Sequence, residues 1–215
     1  MIKAIFYDFD GVIKKSTDVK AQAFYDLYLP YGQDIADKVV DHHNLNGGVS
    51  RYEKFVYYHK NYLSIDLDKD ELEFWASKFS DMVLKKVIDS PYVKHAEKQI
   101  TKLSSQLKQF VITGTPQSEI DFIIEELGIN SYFAEVCGSP NSKIFWSNYL
   151  MKKYNLNNNN VLFIGDSPTD YKAATECKLH FLLINNKENS FFFNDIDVLK
   201  TDDLNDLNNL INNFK

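Results

Sequence analysis

The feature that most restricts the fold is a recurring unit: a short, largely apolar, β-rich run that stops at a small or acidic cluster. Such runs are Ile2 to Phe9, Phe110 to Thr113, Phe133 to Cys137, Val161 to Ile164 and Phe181 to Ile184. Runs that are apolar at successive positions, rather than alternate ones, are expected to be covered on both faces. Stretches of helical length, Ser118 to Leu127, Ser142 to Tyr154 and Asp170 to Lys178, separate the later runs. Strand, helix, strand repetition predicts an α/β protein with a parallel sheet, whose functional loops lie beyond the carboxyl ends of the strands.

One interval breaks the alternation. From about Lys15 to Tyr92 the pattern predicts helices over Asp18 to Leu29, Gln33 to His43, Arg51 to Tyr62 and Lys69 to Ile88, with turn-forming residues between them. We therefore expect residues 1–14 and 92–215 to form the sheet domain and residues 15–91 an inserted helical domain. The hinges should lie near Lys14 to Thr17 and Asp89 to Tyr92. The asparagine-rich stretch from Asn155 to Asn160 suits a solvated loop.

Composition narrows the partners. With 215 residues the chain can bury a real core, and a net charge of -6 argues against a nucleic-acid or acidic-membrane partner, since both need a basic face. The longest apolar runs are far below the roughly 18 residues that cross a bilayer, and the N-terminus has no secretory pattern, so a cytoplasmic protein is expected. Cys137 and Cys177 suggest neither a disulfide framework nor a metal knuckle and are expected to be free thiols. The expected partner is a small molecule, and the expected state a monomer.

Four polar clusters at strand ends carry the chemistry. Asp8 and Asp10 stand two apart, so strand alternation would put both side chains on one face, and Gly11 lets the chain turn sharply after them. Two crowded carboxylates are unfavourable without a cation. That pairing suits a nucleophilic carboxylate beside a general acid/base, with magnesium offsetting their charge. Asp166 and Asp170, in Gly165-Asp166-Ser167-Pro168-Thr169-Asp170, offer two further hard oxygen ligands, although Asp170 alone would also serve as a helix N-cap. Thr113 and Gly114 can hold phosphoryl oxygens through the hydroxyl and backbone N–H groups. Lys143, at a helix start, can neutralise phosphate charge.

The order of these clusters resembles the haloacid dehalogenase-like phosphohydrolase superfamily: an Asp-x-Asp-x-Val strand end, a Thr strand end, a Lys, then an acidic Gly-Asp-x-x-x-Asp. The helical interval is similar to that family's helical cap, in the manner of phosphoglycolate phosphatases and β-phosphoglucomutases. The resemblance implies a Rossmann-like core and a Mg2+-dependent phosphatase acting on a small phosphomonoester, a class that includes sugar phosphates. Asp8 would be the nucleophile that forms an aspartyl-phosphate and a magnesium ligand. Asp10 would protonate the leaving alkoxide, activate water, and offer its backbone carbonyl to the metal. Asp166 would complete the metal site, with Asp170 supporting it directly or through water and orienting Lys143. Thr113, Gly114 and Lys143 would hold the transferring phosphoryl group.

Arg51 is the only arginine, and it follows the glycine loop Asn46-Gly47-Gly48 at a helix start. Its planar fork suits a carboxylate or second oxygen-rich group on the substrate, with an ion pair to Glu53 or a nearby acid as the alternative. His42 and His43, being adjacent, diverge on a helix and are assigned a solvated or capping role. The aromatic stretch from Phe55 to Tyr62 is assigned to helix packing, and Phe191-Phe192-Phe193 to packing on the sheet edge. A phosphomutase of the same fold is the alternative activity. It is disfavoured by Lys20, where mutase relatives often carry histidine. A signalling receiver domain fails on the order of its acidic residues, and a silent binding protein on the completeness of the catalytic set.

Overall fold

β1 (Ala4–Tyr7) is buried at every position and lies in the middle of a parallel sheet, paired with β2 (Lys108–Pro116) on one side and β4 (Val161–Gly165) on the other. The computed structural model describes residues 1–187 and 189–214. Among these, the sheet has six strands in the order β3-β2-β1-β4-β5-β6, where β3 is Glu135–Ser139, β5 His180–Ile184 and β6 Leu199–Thr201. The direction in which successive strands are added to the sheet reverses between β1 and β4, which themselves run parallel. Ligand crevices in open α/β sheets form at such a point, beyond the carboxyl ends of the strands.

The side-chain period of two splits the strands between two cores. Ile5, Tyr7, Val111, Leu162, Ile164, Leu182 and Ile184 face one side, whereas Ala4, Phe6, Phe110, Ile112, Phe163 and Leu183 face the other. Helices cover both faces, which is why the strands are apolar throughout. These helices are α5 (Ala96–Leu103), α6 (Gln117–Glu126), α7 (Lys143–Lys153) and α8 (Pro168–Glu176), with α9 (Ser190–Phe193) and α10 (Leu207–Asn213) near the C-terminus. The fold is thus the expected Rossmann-like α/β core.

Between β1 and α5 the chain forms the inserted helical cap. It consists of α1 (Thr17–Tyr28), α2 (Gln33–Leu45), α3 (Arg51–Tyr58) and α4 (Lys69–Asp89). Aromatic rings bind the cap together: Phe24 lies 4.4 Å from Phe79 and 5.5 Å from Phe55, and Phe55 and Tyr58 are fully buried. Asp68 starts α4 with a reciprocal capping box, accepting from the Glu71 N–H while its own N–H donates to the Glu71 carboxylate. Where the cap leaves and rejoins the core, the two connections run side by side: the Lys15 N–H donates to the Pro91 carbonyl and the Val93 N–H to the Ile13 carbonyl. No helix among the described residues is long and apolar enough to cross a membrane.

Several local details differ from the sequence expectations. The helix expected over Arg51 to Tyr62 is regular only to Tyr58, after which His59–Leu63 winds as a π-helical turn that ends at Ser64 in the left-handed region. The strand expected to end at Thr113 continues to Pro116. Helix α5 and strand β6 were not expected, because α5 follows a strand-free stretch and β6 is only Leu-Lys-Thr. Backbone pairing with β5, from Leu182↔Leu199 to Ile184↔Thr201, makes β6 a strand. Both cysteines are buried free thiols. Of the three adjacent phenylalanines only Phe193 is buried; Phe191 is 78% exposed.

Phe6 is fully buried and meets Phe110 at 5.3 Å and Phe163 at 6.3 Å, both edge to face, at the centre of one core. Phe6→Ala should cost about 3–5 kcal/mol in urea unfolding. A cost under about 1 kcal/mol would show that the site collapses around the missing ring.

Candidate active site

Asp8 stands immediately beyond β1, where the strand order reverses, and is 4% exposed. One carboxylate oxygen accepts from the Phe9 N–H at 2.7 Å; the other lies 2.9 Å from Lys143 Nζ. Lys143 opens α7 behind the Ser142 N-cap and reaches Asp170 as well, at 2.6 Å. Asp170, wholly buried in the first turn of α8, uses its second oxygen to accept from the Ser167 N–H at 3.0 Å and the Ser167 hydroxyl at 2.6 Å. The N-cap of α8 is therefore Ser167 rather than Asp170, which stands at the third helical position as the reciprocal partner of a capping box: one of its oxygens takes the Ser167 N–H and the other meets Lys143.

Asp166 follows β4 and adds a third carboxylate. Oxygens from Asp8, Asp166 and Asp170 lie within 4.8 Å of one another. Among the described residues Lys143 is the one ammonium in contact with this group, against three carboxylates. Burial, together with Asp170, pushes Asp8 up to about 7, even though Lys143 opposes the shift. Burial and then the Asp8 charge raise Asp166 well above the ordinary carboxylate range. Lys143 is itself held as an ammonium: burial works against its charge, but Asp170 and Asp8 overcome it. A cluster of hard, buried oxygens with surplus negative charge is the donor set that a divalent cation such as Mg2+ fits. Gly11 permits the close approach, since at φ +78° a Cβ there would collide with the Asp166 carboxylate.

Asp10 borders the same crevice but has its own partners. Its carboxylate accepts from the Ser16 hydroxyl at 2.6 Å, from Lys20 Nζ, and from the Thr115 hydroxyl at 3.3 Å. Burial disfavours its charge, yet Lys20 and these hydrogen bonds outweigh burial and lower its pKa. Thr113, in β2, is 2% exposed and accepts the Thr115 N–H at 3.2 Å; with Gly114 and Thr115 it borders a cavity shared with Asp8 and Asp10.

The cap closes this cavity from above. The Thr169 hydroxyl donates to the Gly47 carbonyl at 3.2 Å, and a Cβ on Gly114 would lie 2.6 Å from the Gly48 carbonyl oxygen. Arg51, 6% exposed, forms a fork with Glu119 of α6 at 2.8 and 2.6 Å, and also donates to Ser80 of α4 at 2.7 Å. Its guanidinium lies 4.6 Å from the Phe79 ring. An ion pair thus spans cap and core.

The model of the haloacid dehalogenase-like hydrolase family matches residues 5–184. The chain belongs to that family. No curated protein matches it at a significant level. Among solved structures, this hydrolase is similar to a β-phosphoglucomutase from Clostridium difficile, with 20% identity, 100% of this chain and 99% of that chain covered, and a TM-score of 0.75. It is also similar to a predicted phosphoglycolate phosphatase from Haemophilus somnus, with 19% identity, 97% of each chain covered and a TM-score of 0.72. A haloacid dehalogenase-like hydrolase from Streptococcus pneumoniae aligns at 18% identity over 97% of this chain and 98% of that one, with a TM-score of 0.70. At these identities the structural likenesses show the fold.

In the hydrolase, Asp8, Lys143, Asp166 and Asp170 form one contact group, while Asp10, Thr113, Gly114 and Arg51 border the adjoining cavity with Asp8. Arg51 has its fork on Glu119, 68 residues away, rather than on Glu53. Sequence reasoning overlooked Ser16, Thr115, Glu119, Lys54 and Asn189. Asn189 donates to the Asp166 carbonyl at 2.7 Å and the Ile184 carbonyl at 2.8 Å, steadying the Asp166 loop. Nothing in its local sequence marks it, whereas Thr115 lies within the Thr-Gly-Thr cluster. His43 also differs from its assigned capping role, since its Nδ1 pairs with Lys54 Nζ at 2.9 Å.

The raised carboxylates set a pH dependence. Asp8 keeps its proton in the folded state up to about 7, whereas the unfolded chain loses it near 4. Between those values the folded state binds more protons, so stability without metal should fall as pH rises. A divalent cation that takes the deprotonated carboxylates reverses the loss. Millimolar Mg2+ should therefore raise Tm clearly at pH 8 and much less at pH 5; equal or absent shifts would argue against metal binding at this cluster.

Proposed function

We propose that this hydrolase is a phosphatase that releases inorganic phosphate from a small phosphomonoester through an aspartyl-phosphate on Asp8. The observation that carries the reading is the placement of Asp8, buried at the reversal of strand order, 2.9 Å from Lys143 and facing the cavity that Asp10 and Thr113 border. Mg2+, held by Asp8, Asp166 and the backbone carbonyl of Asp10 with Asp170 in support, would offset carboxylate charge and polarise the phosphoryl group.

In the first step an Asp8 carboxylate oxygen bonds to phosphorus, the ester oxygen leaves, and Asp10 donates its proton to that oxygen. In the second, Asp10 takes a proton from water as the water oxygen bonds to phosphorus, restoring Asp8 and releasing phosphate. Lys143 and the Thr113–Gly114 strand end hold the phosphoryl oxygens. Lys20 favours the carboxylate form of Asp10, which is the form that the second step needs. For the first step, substrate must take over the Lys20 contact so that Asp10 can carry a proton.

The cap, residues 15–91, shields the first step from water and opens for the second about hinges beside Lys14 and Tyr92. Arg51 would act on substrate only by exchanging Glu119 for it, so its fork couples closure to occupancy. In this reading the protein works in the cytoplasm, a compartment that keeps thiols such as the buried Cys137 and Cys177 reduced.

Phosphate release from a panel of sugar phosphates, nucleotides and phosphoglycolate, with Mg2+ or EDTA, tests the reading. Release that requires Mg2+ and falls about 10³-fold or more in Asp8→Asn is expected. Phosphoryl transfer between positions of a hexose phosphate without net release would instead favour the mutase.

A further inference from the structure

Three cationic side chains border the cavity: Lys20, Arg51 and Lys54. Lys20 is paired with Asp10, and both outer nitrogens of Arg51 are paired with Glu119. Lys54 stands apart. It lies one helical turn beyond Arg51 on α3 and is only 3% exposed, yet among the described residues it contacts no carboxylate. Its Nζ meets His43 Nδ1 at 2.9 Å and the His43 carbonyl at 3.3 Å, beside the Phe24 ring at 5.8 Å. Those contacts occupy two of the three N–H donors of an ammonium, and the third has no acceptor among the described residues.

An ammonium buried in this way carries a desolvation cost that the more distant Asp10 and Glu53 charges offset only in part. Burial, and then the nearby Lys20 charge, lower Lys54 to about 7, while burial and Lys54 hold His43 well below its usual range. The pair thus amounts to one positive charge at most. A substrate carboxylate supplies one matching negative charge and an acceptor for the third N–H. A second phosphate would bring surplus charge, and a hydroxyl would bring none. The cavity, about 120 Å³, also favours a compact leaving group.

We propose that Lys54, positioned by His43, is a specificity residue that binds a carboxylate on the leaving group, so that the substrate is the phosphate monoester of a small hydroxy acid. The proposal rests on the phosphatase reading for its use in turnover, and it moves the anion-reading task from Arg51 to a cation that is free to perform it. The bland alternative is that Lys54 only braces α2 against α3.

Calorimetric binding to Asp8→Asn protein in Mg2+ separates the two. The ligands are phosphoglycolate and hydroxyethyl phosphate, which replaces the carboxylate with a neutral alcohol. Phosphoglycolate should bind at least about tenfold more tightly, the worth of one charge-assisted hydrogen bond. Adding Lys54→Met should abolish that preference and leave hydroxyethyl phosphate affinity unchanged. Equal affinities with Lys54 present, no binding of either ester, or a Lys54→Met change that weakens both alike would overturn the proposal. Wild-type protein that shows the preference in binding but releases no phosphate would overturn the phosphatase reading and leave the subsite standing.

Discussion

Lys143 sits between two carboxylates, 2.9 Å from Asp8 and 2.6 Å from Asp170, in a space almost without solvent. Burial works against the Asp8 charge and the lysine opposes that shift, while Asp170 and Asp8 together hold the lysine as an ammonium against its own burial. The three come from three different parts of the chain: the end of β1, the start of α7 and the first turn of α8. Their mutual attraction therefore ties the two halves of the sheet together where the strand order reverses. Among the described residues it still leaves Asp166 without an ion-pair partner, and that imbalance, rather than any single residue, makes the crevice receptive to a divalent metal and a phosphoryl group.

The cap contributes a second layer of matched charge. Arg51 and Glu119 pair across the boundary between cap and core, and Lys20 reaches from α1 to Asp10. Each contact joins a cap helix to a residue at or near the crevice, so the closed arrangement depends on electrostatic partners that substrate or solvent can exchange. The glycine loop makes the approach possible. At Gly48, with φ +77°, a Cβ would collide with the Thr169 hydroxyl, and at Gly114 a Cβ would press on the Gly48 carbonyl. Side chains at either place would hold the cap away from the core.

Much of this is legible in the amino-acid sequence. The apolar strand runs, their polar ends and the helix-length separations indicated a parallel sheet with its chemistry at one edge, because burial on both faces leaves a clear mark on a strand. The start of α4 was legible for a local reason, since Asp68 and Glu71 cap it within three residues. Strand β6 was not, because Leu199–Thr201 becomes a strand only through pairing with β5. The π-helical turn after Tyr58 was equally hidden, since the aromatic pattern continues smoothly through it.

Within the site the same division holds. Asp8, Asp10, Thr113, Lys143, Asp166 and Asp170 could be chosen from sequence because each belongs to a compact polar cluster at the end of an apolar run. Partner choice could not. Arg51 had an acidic neighbour, Glu53, within its own helix, yet tertiary packing set its fork against Glu119, and folding buried Lys54, which nothing in its local sequence marks, beside His43. Local sequence determined which segments became strands and helices and which residues were chemically able to form the site, because propensity, periodicity and turn chemistry act over a few residues. Tertiary structure alone decided which charges were neutralised and which was left facing the cavity, because Coulomb interactions and desolvation depend on distances through space.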